Sequence, residues 1–368
     1  MNCKNIFISA GDVSGDIHAC NLVKEIKRIS PSCYITAIGG KNLQKCVDHF
    51  IIDIVSINAF GFFPLKQVIY LQKVFKQIKI YLYKTHTDKI ILIDFYGFNI
   101  HIAKLAKKMD IPVYYYIGPQ VWASRKYRIK KLARVITKMF VIFPFEEKIY
   151  KEHGLDTTFV GNPILDIIPR KQYQYKCCKN LNQIVIGLFP GSRMPIIKRH
   201  IPILLDIMHM LKQNLQMQLK FILFNTQDNL YQIKLMNIPK DIEFATSNNL
   251  IKRQSIDFAI CTSGTVSLEN VLMHIPMIVM YKLSYLDYFI IKSIIKVKYI
   301  TIANIIANKL IVPEFIQFEA NAHKIVPYII KALKPENYKQ QIKVLNTLRM
   351  NLGNTGAAKR VAKMILND

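Results

Sequence analysis

The chain has 368 residues, 51% hydrophobic and 20% charged, which excludes a disordered or collagen-like protein and leaves room for two domains with separate cores. Lys and Arg number 51 against 24 Asp and Glu, a formal net charge of +27, so an anionic partner is expected: phospholipid headgroups, a phosphorylated substrate or nucleic acid. A composition heavy in Ile, Lys, Asn and Tyr, of the kind an AT-rich genome encodes, is a second explanation for the same excess.

The first apolar run, Ile6–Ala10, is too short for the core of a signal peptide and reads as a strand. No uncharged stretch approaches the roughly 18 residues that a spanning helix needs. A cytosolic protein, or one attached to a membrane surface, is therefore expected. Seven cysteines at 3, 20, 33, 46, 177, 178 and 261 show no Cys-x-x-Cys or zinc-site spacing, so reduced structural thiols are expected and no metal site.

Taken in chain order, short β-branched runs alternate with amphipathic stretches, the pattern of parallel sheets wound with helices. Strands are predicted at Ile6–Ala10, Tyr34–Ile38, Lys89–Ile93, Pro112–Ile117, Met139–Phe143 and Thr158–Val160. A long helix fits Lys66–Lys84, with Val68, Leu71, Phe75, Ile78 and Leu82 on one face and Lys66, Lys73 and Lys84 opposite. Residues 166–182 carry Pro169, a polar run and Cys177-Cys178 without periodicity, and read as a linker. The pattern then restarts, with strands at Ile184–Phe189, Lys220–Phe224, Phe258–Cys261 and Met277–Tyr281. The expected architecture is α/β, two Rossmann-like domains facing a cleft. The N-terminal domain is assigned to residues 1–165 and the second to 166–345. A C-terminal helix within 346–368 is expected to pack back towards the first domain.

In open α/β sheets ligands collect at the carboxyl ends of strands, so the loops there matter most. Gly11-Asp12-Val13-Ser14-Gly15-Asp16 follows the first strand and opens a helix. It is not G-x-G-x-x-G, and its two carboxylates suit sugar hydroxyls better than a pyrophosphate, although a plain capping turn explains it equally well. Pro190-Gly191-Ser192-Arg193 follows a strand of the second half, where a guanidinium can grip a phosphate through paired hydrogen bonds. Thr262-Ser263-Gly264-Thr265 precedes a helix bearing Glu269, which places hydroxyls and amides at an anion site and a carboxylate within reach of ribose. No Asp-x-Asp triplet occurs, so the charge of a departing diphosphate would be neutralised by Arg193 and helix dipoles rather than by a metal.

Several segments, in this order, resemble the lipid-A-disaccharide synthase family over nearly the whole chain. They are Ala10–Asp16, Ile93-Asp94 with Phe98-Asn99, Gly118-Pro119-Gln120-Val121-Trp122-Ala123, and Phe143-Pro144-Phe145-Glu146. Gly161-Asn162-Pro163, Pro190–Arg193, Ser263-Gly264-Thr265 with Leu268-Glu269, Ala303–Ala307, and Val312-Pro313-Glu314 with Gln317 complete the series. The resemblance implies an inverting GT-B enzyme of lipid A and lipopolysaccharide assembly in Gram-negative bacteria. Such an enzyme joins UDP-2,3-diacylglucosamine to the 6-hydroxyl of 2,3-diacylglucosamine 1-phosphate (lipid X), releases UDP, and needs no cofactor. It implies Arg193, Ser263, Gly264, Thr265, Glu269, Asn304, Glu314 and Gln317 on the donor side. Asp12, Ser14, Asp16, Asp94, Asn99 and Trp122 fall on the acceptor side, with Asp94 and Arg193 as the catalytic pair.

The chain departs from the family pattern at four places. Asp-x-Pro-Asp-Phe-Asn stands here as Asp94-Phe95-Tyr96-Gly97-Phe98-Asn99, so the second carboxylate is missing and Asp94 is the remaining base in the motif. The family Glu of the first loop is Asp12, Trp-Ala-Trp-Arg is Trp122-Ala123-Ser124-Arg125, and Met-Gly-x-x-Glu is replaced by Phe60-Gly61-Phe62-Phe63-Pro64. Phe60, Phe62, Phe63 and Leu65 beside a basic helix suit insertion into the cytoplasmic face of the inner membrane, as do Phe289–Ile295 among lysines. A cluster from Arg125 to Arg134 suits a lipid phosphate, while a core-facing helix with a solvated basic face is the alternative for each segment. Two rival functions share these features. One is another UDP-sugar enzyme of the same architecture, a peptidoglycan glycosyltransferase or a 2-epimerase. The other is a basic nucleic-acid-binding protein, which the absence of any recognised binding motif disfavours.

Overall fold

The computed structural model describes residues 5–58, 64–121, 127–168, 183–294 and 298–368. The chain divides into two compact units, one formed by Met1–Asp166 with Leu352–Asp368 and the other by Ile167–Asn351.

In the first unit the strands are β1 (Asn5–Ala10), β2 (Tyr34–Gly39), β3 (His49–Asp53), β4 (Lys89–Ile93), β5 (Val113–Tyr116), β6 (Lys138–Val141) and β7 (Thr157–Phe159). They form one sheet in the order β3-β2-β1-β4-β5-β6-β7, all paired in parallel. Both faces are covered, which is why these strands read as near-continuous apolar runs. Ile6, Ile8, Ile91, Ile93, Tyr114 and Tyr116 lie in one core. Their alternates Phe7, Ile90, Leu92, Val113 and Tyr115 lie in the other. The C-terminal helix Ala357–Asn367 contributes Val361, Ala362 and Ile365 to the first core, beside Leu22, Val23 and Ile26 of the helix Val13–Ile29. Its Arg360 donates to the carbonyl of Val160 at 2.7 and 2.9 Å.

The second unit repeats the plan with β8 (Gln183–Phe189), β9 (Gln218–Asn225), β10 (Ile242–Thr246), β11 (Phe258–Cys261), β12 (Met277–Tyr281) and β13 (Glu314–Ile316). Their order is β10-β9-β8-β11-β12-β13, again parallel. Its core joins Ile186, Leu188, Phe221, Phe258 and Ile260 to Ile197, Leu204 and Leu211 of the helix Met194–Asn214.

Three strands escape sequence reading: β3, β10 and β13, the last only three residues long and below any detectable period. The helix Pro64–Lys84 buries Val74, Ile78 and Leu82 and leaves Val68 exposed, which corrects the expected stripe. Periodicity gives the width of an apolar stripe, and the surface it packs against chooses its centre. Cys20 and Cys46, with Cα atoms 5.8 Å apart, are joined as a disulfide where reduced thiols are expected, while Cys33 and Cys261 are buried thiols outside any disulfide. The helix Val13–Ile29 brings together two residues that 26 positions of sequence separate. Phe60, Phe62, Phe63 and Trp122 lie outside the described residues, as does the side chain of Leu65.

Candidate active site

Each sheet reverses its strand order once, between β1 and β4 in the first unit and between β8 and β11 in the second. At such a point the loops leaving adjacent strands diverge and open a crevice at the carboxyl ends. The three loops singled out in the sequence leave β1, β8 and β11, and the Asp94–Asn99 segment of the resemblance leaves β4.

In the first unit Asp12 ends the loop after β1 and caps the helix Val13–Ile29, its Oδ1 accepting from the N–H of Gly15 at 2.5 Å. Gly11 has to be glycine because a Cβ there would lie 2.1 Å from the ring of Phe95. Asp94 and Phe95, directly after β4, have φ of 44° and 47°. Left-handed conformations in non-glycine residues cost about 1–3 kcal/mol each and persist only where the surroundings hold them. Here the Asp94 carbonyl accepts from the Tyr115 hydroxyl and from Asn99 Nδ2, and the Phe95 N–H donates to Asp94 Oδ1 at 2.8 Å. Ile117, after β5, is left-handed as well, at 61°. Three of the four left-handed non-glycine residues described in this unit thus lie at the carboxyl edge of its sheet, Asp110 before β5 being the fourth.

The Asp94 carboxyl is pushed up to about 6, first by burial and then by the charge of Asp12, with which it shares a side-chain hydrogen bond. The neighbouring negative charge makes ionising Asp94 more costly, so this carboxylate takes up a proton more readily than an ordinary one. Asn99 is fully buried, accepts from the Ser9 hydroxyl at 2.6 Å and clamps the Asp94 carbonyl at 2.8 Å. Asp16 is buried and accepts from the N–H groups of Gly40, Asn42 and Leu43. Its oxygens secure the loop after β2. Ser14 is exposed on the first helical turn. Gly97 faces open space, with nothing within 4 Å of a Cβ built there.

In the second unit Gly191 adopts φ of 111°, and the carbonyls of Pro190, Gly191 and Ser192 are each tied back by a side chain. His200 Nδ1 donates to Pro190 O at 2.8 Å, Asn225 Nδ2 to Gly191 O at 2.7 Å, and Asn229 Nδ2 to Ser192 O at 2.9 Å. Because His200 Nε2 accepts from the N–H of Lys282 at 2.9 Å, its ring must be neutral with the proton on Nδ1. Burial lowers its pKa in the same sense. Arg193, exposed at the start of the helix Met194–Asn214, has no carboxylate partner among the described residues.

After β11, Ser263 donates to Ile300 O at 2.6 Å, while Gly264 and Thr265 are exposed at the start of the helix Thr265–Leu272. Glu269 is half-buried and paired with Arg253 Nη1 at 2.5 Å. Arg253 itself is 1% exposed, donates to Asn270 Oδ1 at 2.9 Å and lies over the ring of Phe189. Asn304 is saturated by Val312 O, Glu314 Oε1 and the N–H groups of Ile311 and Val312. Glu314 also accepts from Ile300 N, Thr301 N and the Thr301 hydroxyl. Gln317, left-handed at 53°, brackets the backbone of Leu283. Asn304, Glu314 and Gln317 thus brace the loops that Ser263 and His200 also hold. Sequence reading missed His200, Asn225, Asn229, Arg253 and Tyr115. Their partners lie far away in the chain, and no local motif marks them.

Two parallel-sheet α/β units, each with its chemistry-bearing loops at a switch point, place this chain in the GT-B fold class. Solved structures share the fold. The UDP-GlcNAc 2-epimerase of Neisseria meningitidis aligns over 99% of this chain and 100% of its own at TM-score 0.65 and 11% identity. Acinetobacter baumannii MurG aligns over 99% and 100% at 0.55 and 15%. More narrowly, the family model described as lipid-A-disaccharide synthetase matches residues 6–366. Lipid-A-disaccharide synthase 1 of Legionella pneumophila is 35% identical over 97% of this chain and 95% of its own length. The synthase of Syntrophus aciditrophicus is 34% identical over 100% and 98%. The chain belongs to the lipid-A-disaccharide synthase family.

Proposed function

We propose that this enzyme transfers 2,3-diacylglucosamine from its UDP derivative to the 6-hydroxyl of 2,3-diacylglucosamine 1-phosphate, with inversion at the anomeric carbon. The observation that carries this reading is the complementary equipment of the two switch points: a carboxyl raised to about 6 in one unit and, on a braced loop in the other, a guanidinium that no carboxylate among the described residues pairs with. Asp94 takes the proton of the 6-hydroxyl as that oxygen attacks the anomeric carbon. The bond from that carbon to the diphosphate oxygen breaks, and the electron pair leaves on UDP. Arg193 and the free N–H groups at the start of the helix Thr265–Leu272 stabilise the departing charge. Glu269, steered by Arg253, accepts from ribose hydroxyls. Asp12 then relays the proton from Asp94 to water.

Acylated substrates reside in a bilayer, and no described helix is long and apolar enough to cross one. We assign the enzyme to the cytoplasmic face of the inner membrane as a peripheral protein. Tyr285, Leu286, Phe289 and Phe318 are exposed together beside Lys292, with the Tyr285 and Phe318 rings 6.0 Å apart. Rings backed by cations suit a headgroup layer.

The test is a product assay in detergent with both diacylated substrates, with and without EDTA. The expected result is one UDP and one β-1′,6-linked disaccharide 1-phosphate per turnover, undiminished by the chelator. Epimerised UDP-sugar, or equal transfer to acceptors lacking acyl chains, would overturn the reading in favour of another UDP-sugar enzyme.

A further inference from the structure

Arg128 belongs to the helix Tyr127–Ala133, which buries Ile129 and Leu132. Its guanidinium carbon stands 4.3 Å from the centroid of the Tyr96 ring, and Tyr96 opens the helix Tyr96–Lys108 two residues after Asp94. Arg128 is half-buried, yet among the described residues no carboxylate pairs with it. An aromatic face holds a guanidinium through its flat side and leaves the N–H edge unused. A half-buried cation held in this way favours an anion at that edge, and a tetrahedral phosphate can accept two of its N–H groups at once.

The Tyr96 hydroxyl lies in the same electrostatic neighbourhood as Tyr115 and Tyr150, whose hydroxyls bind the carbonyls of Asp94 and Pro119. Arg128 therefore borders the acceptor loop, stacked on the residue two positions after Asp94. An acceptor hexosamine carries its 1-phosphate on C1 and its 6-hydroxyl on the carbon attached to C5, separate substituents on the two carbons that flank the ring oxygen. A cation that grips the phosphate has to stand off from the base, as this one does. The separation has a second consequence. No cation is among the causes that set the Asp94 proton affinity, so a phosphate clamp here leaves the base intact.

We infer that Arg128, stacked on Tyr96, is the binding site for the phosphate monoester of the acceptor sugar. The inference rests on the functional reading above and adds to it the residue that selects a phosphorylated acceptor.

The test compares wild type, Arg128→Gln and Arg128→Lys on diacylated glucosamine with and without its 1-phosphate, in micelles of an uncharged detergent. The measured quantity is the ratio of kcat/KM for the phosphorylated acceptor to that for the dephosphorylated one. Arg128→Gln is expected to lower this ratio roughly 10- to 100-fold, the range for a lost charge-assisted hydrogen bond. Arg128→Lys, which keeps the charge without the fork, should fall between. A ratio unchanged in both variants overturns the proposal. So does an equal loss on both acceptors, which would show that Arg128 only props Tyr96. Repeating the assay on vesicles of anionic phospholipid separates the two sources of phosphate. A defect confined to vesicles assigns Arg128 to bilayer headgroups and overturns the acceptor site. Wild-type protein that transfers to neither acceptor overturns the functional reading itself, and this proposal with it.

Discussion

The two switch points solve different chemical problems in different ways. In the second unit almost every polar group is already committed: three consecutive carbonyls of the Pro190–Arg193 loop are tethered, and Asn304, Glu314 and Gln317 are bonded internally. What remains for a ligand, among the described residues, is the Arg193 guanidinium and the start of a helix. Charge that appears on a leaving group is best met by dipoles that need no rearrangement, and bracing provides that. In the first unit the loop is held in strained backbone conformations, and its carboxyl sits far from its ordinary pKa. A base has to be easy to protonate, so burial and a like charge are features there rather than faults. Rigidity serves the departing anion, and a raised pKa serves the proton.

The sharpest way to break this comparison is Asp94→Asn, which should lower turnover about 10²- to 10⁴-fold while donor binding persists. Wild-type kcat/KM should climb as pH rises through about 6 and then level off, and the mutant's residual rate should lack that step. Stability should move the other way. The folded-state pKa lies above the ordinary 3.8, so the neutral carboxyl favours folding below 3.8 and that contribution fades as pH rises through about 6. The permanently neutral Asn should therefore gain in Tm over wild type between pH 4 and 7. Equal Tm differences at both pH values would show that Asp94 is not buried as described.

Arg193→Ala should cost about 10²- to 10³-fold in kcat with an unchanged melting curve, because it removes one stabiliser of the departing charge from an exposed position. Parental turnover in a folded mutant would remove Arg193 from the mechanism.

His200→Leu should raise the donor KM about tenfold, since the Pro190 carbonyl and the Lys282 N–H both lose their partner. His200→Gln, whose amide can donate at one end and accept at the other, should restore most of the loss. The neutral ring is favoured in the fold, so the brace is intact above pH 6.5 and weakens as pH falls through its lowered pKa. If Leu and Gln behave alike, His200 only fills space.

The smallest expected effect is Gly97→Asp. A side chain fits there without contact, and if Asp94 suffices as base, turnover should change less than about twofold. A large gain would mean that the family's second carboxylate is what this chain lacks.

Much of this was legible in the residues alone. The boundaries of β4, β11 and β12 follow directly from apolar runs ended by Asp94, Thr262 and Lys282, and the loops that carry chemistry announce themselves through glycine, hydroxyl residues and a lone arginine. These features depend on neighbours a few positions apart, where chain geometry leaves little choice. The tertiary structure alone decided which polar groups are already spent. Asp16 reads like Asp12 in the sequence, yet it is consumed by backbone N–H groups around residue 40, whereas Asp12 meets Asp94. Glu269 reads as a free carboxylate, and only the packing of the helix Leu250–Gln254 gives it a buried arginine. Ser9 and Asn99 are 90 residues apart, and His200 and Lys282 are 82 apart. Side-chain partners at such separations are set by strand order, and strand order is set by which faces can be buried together.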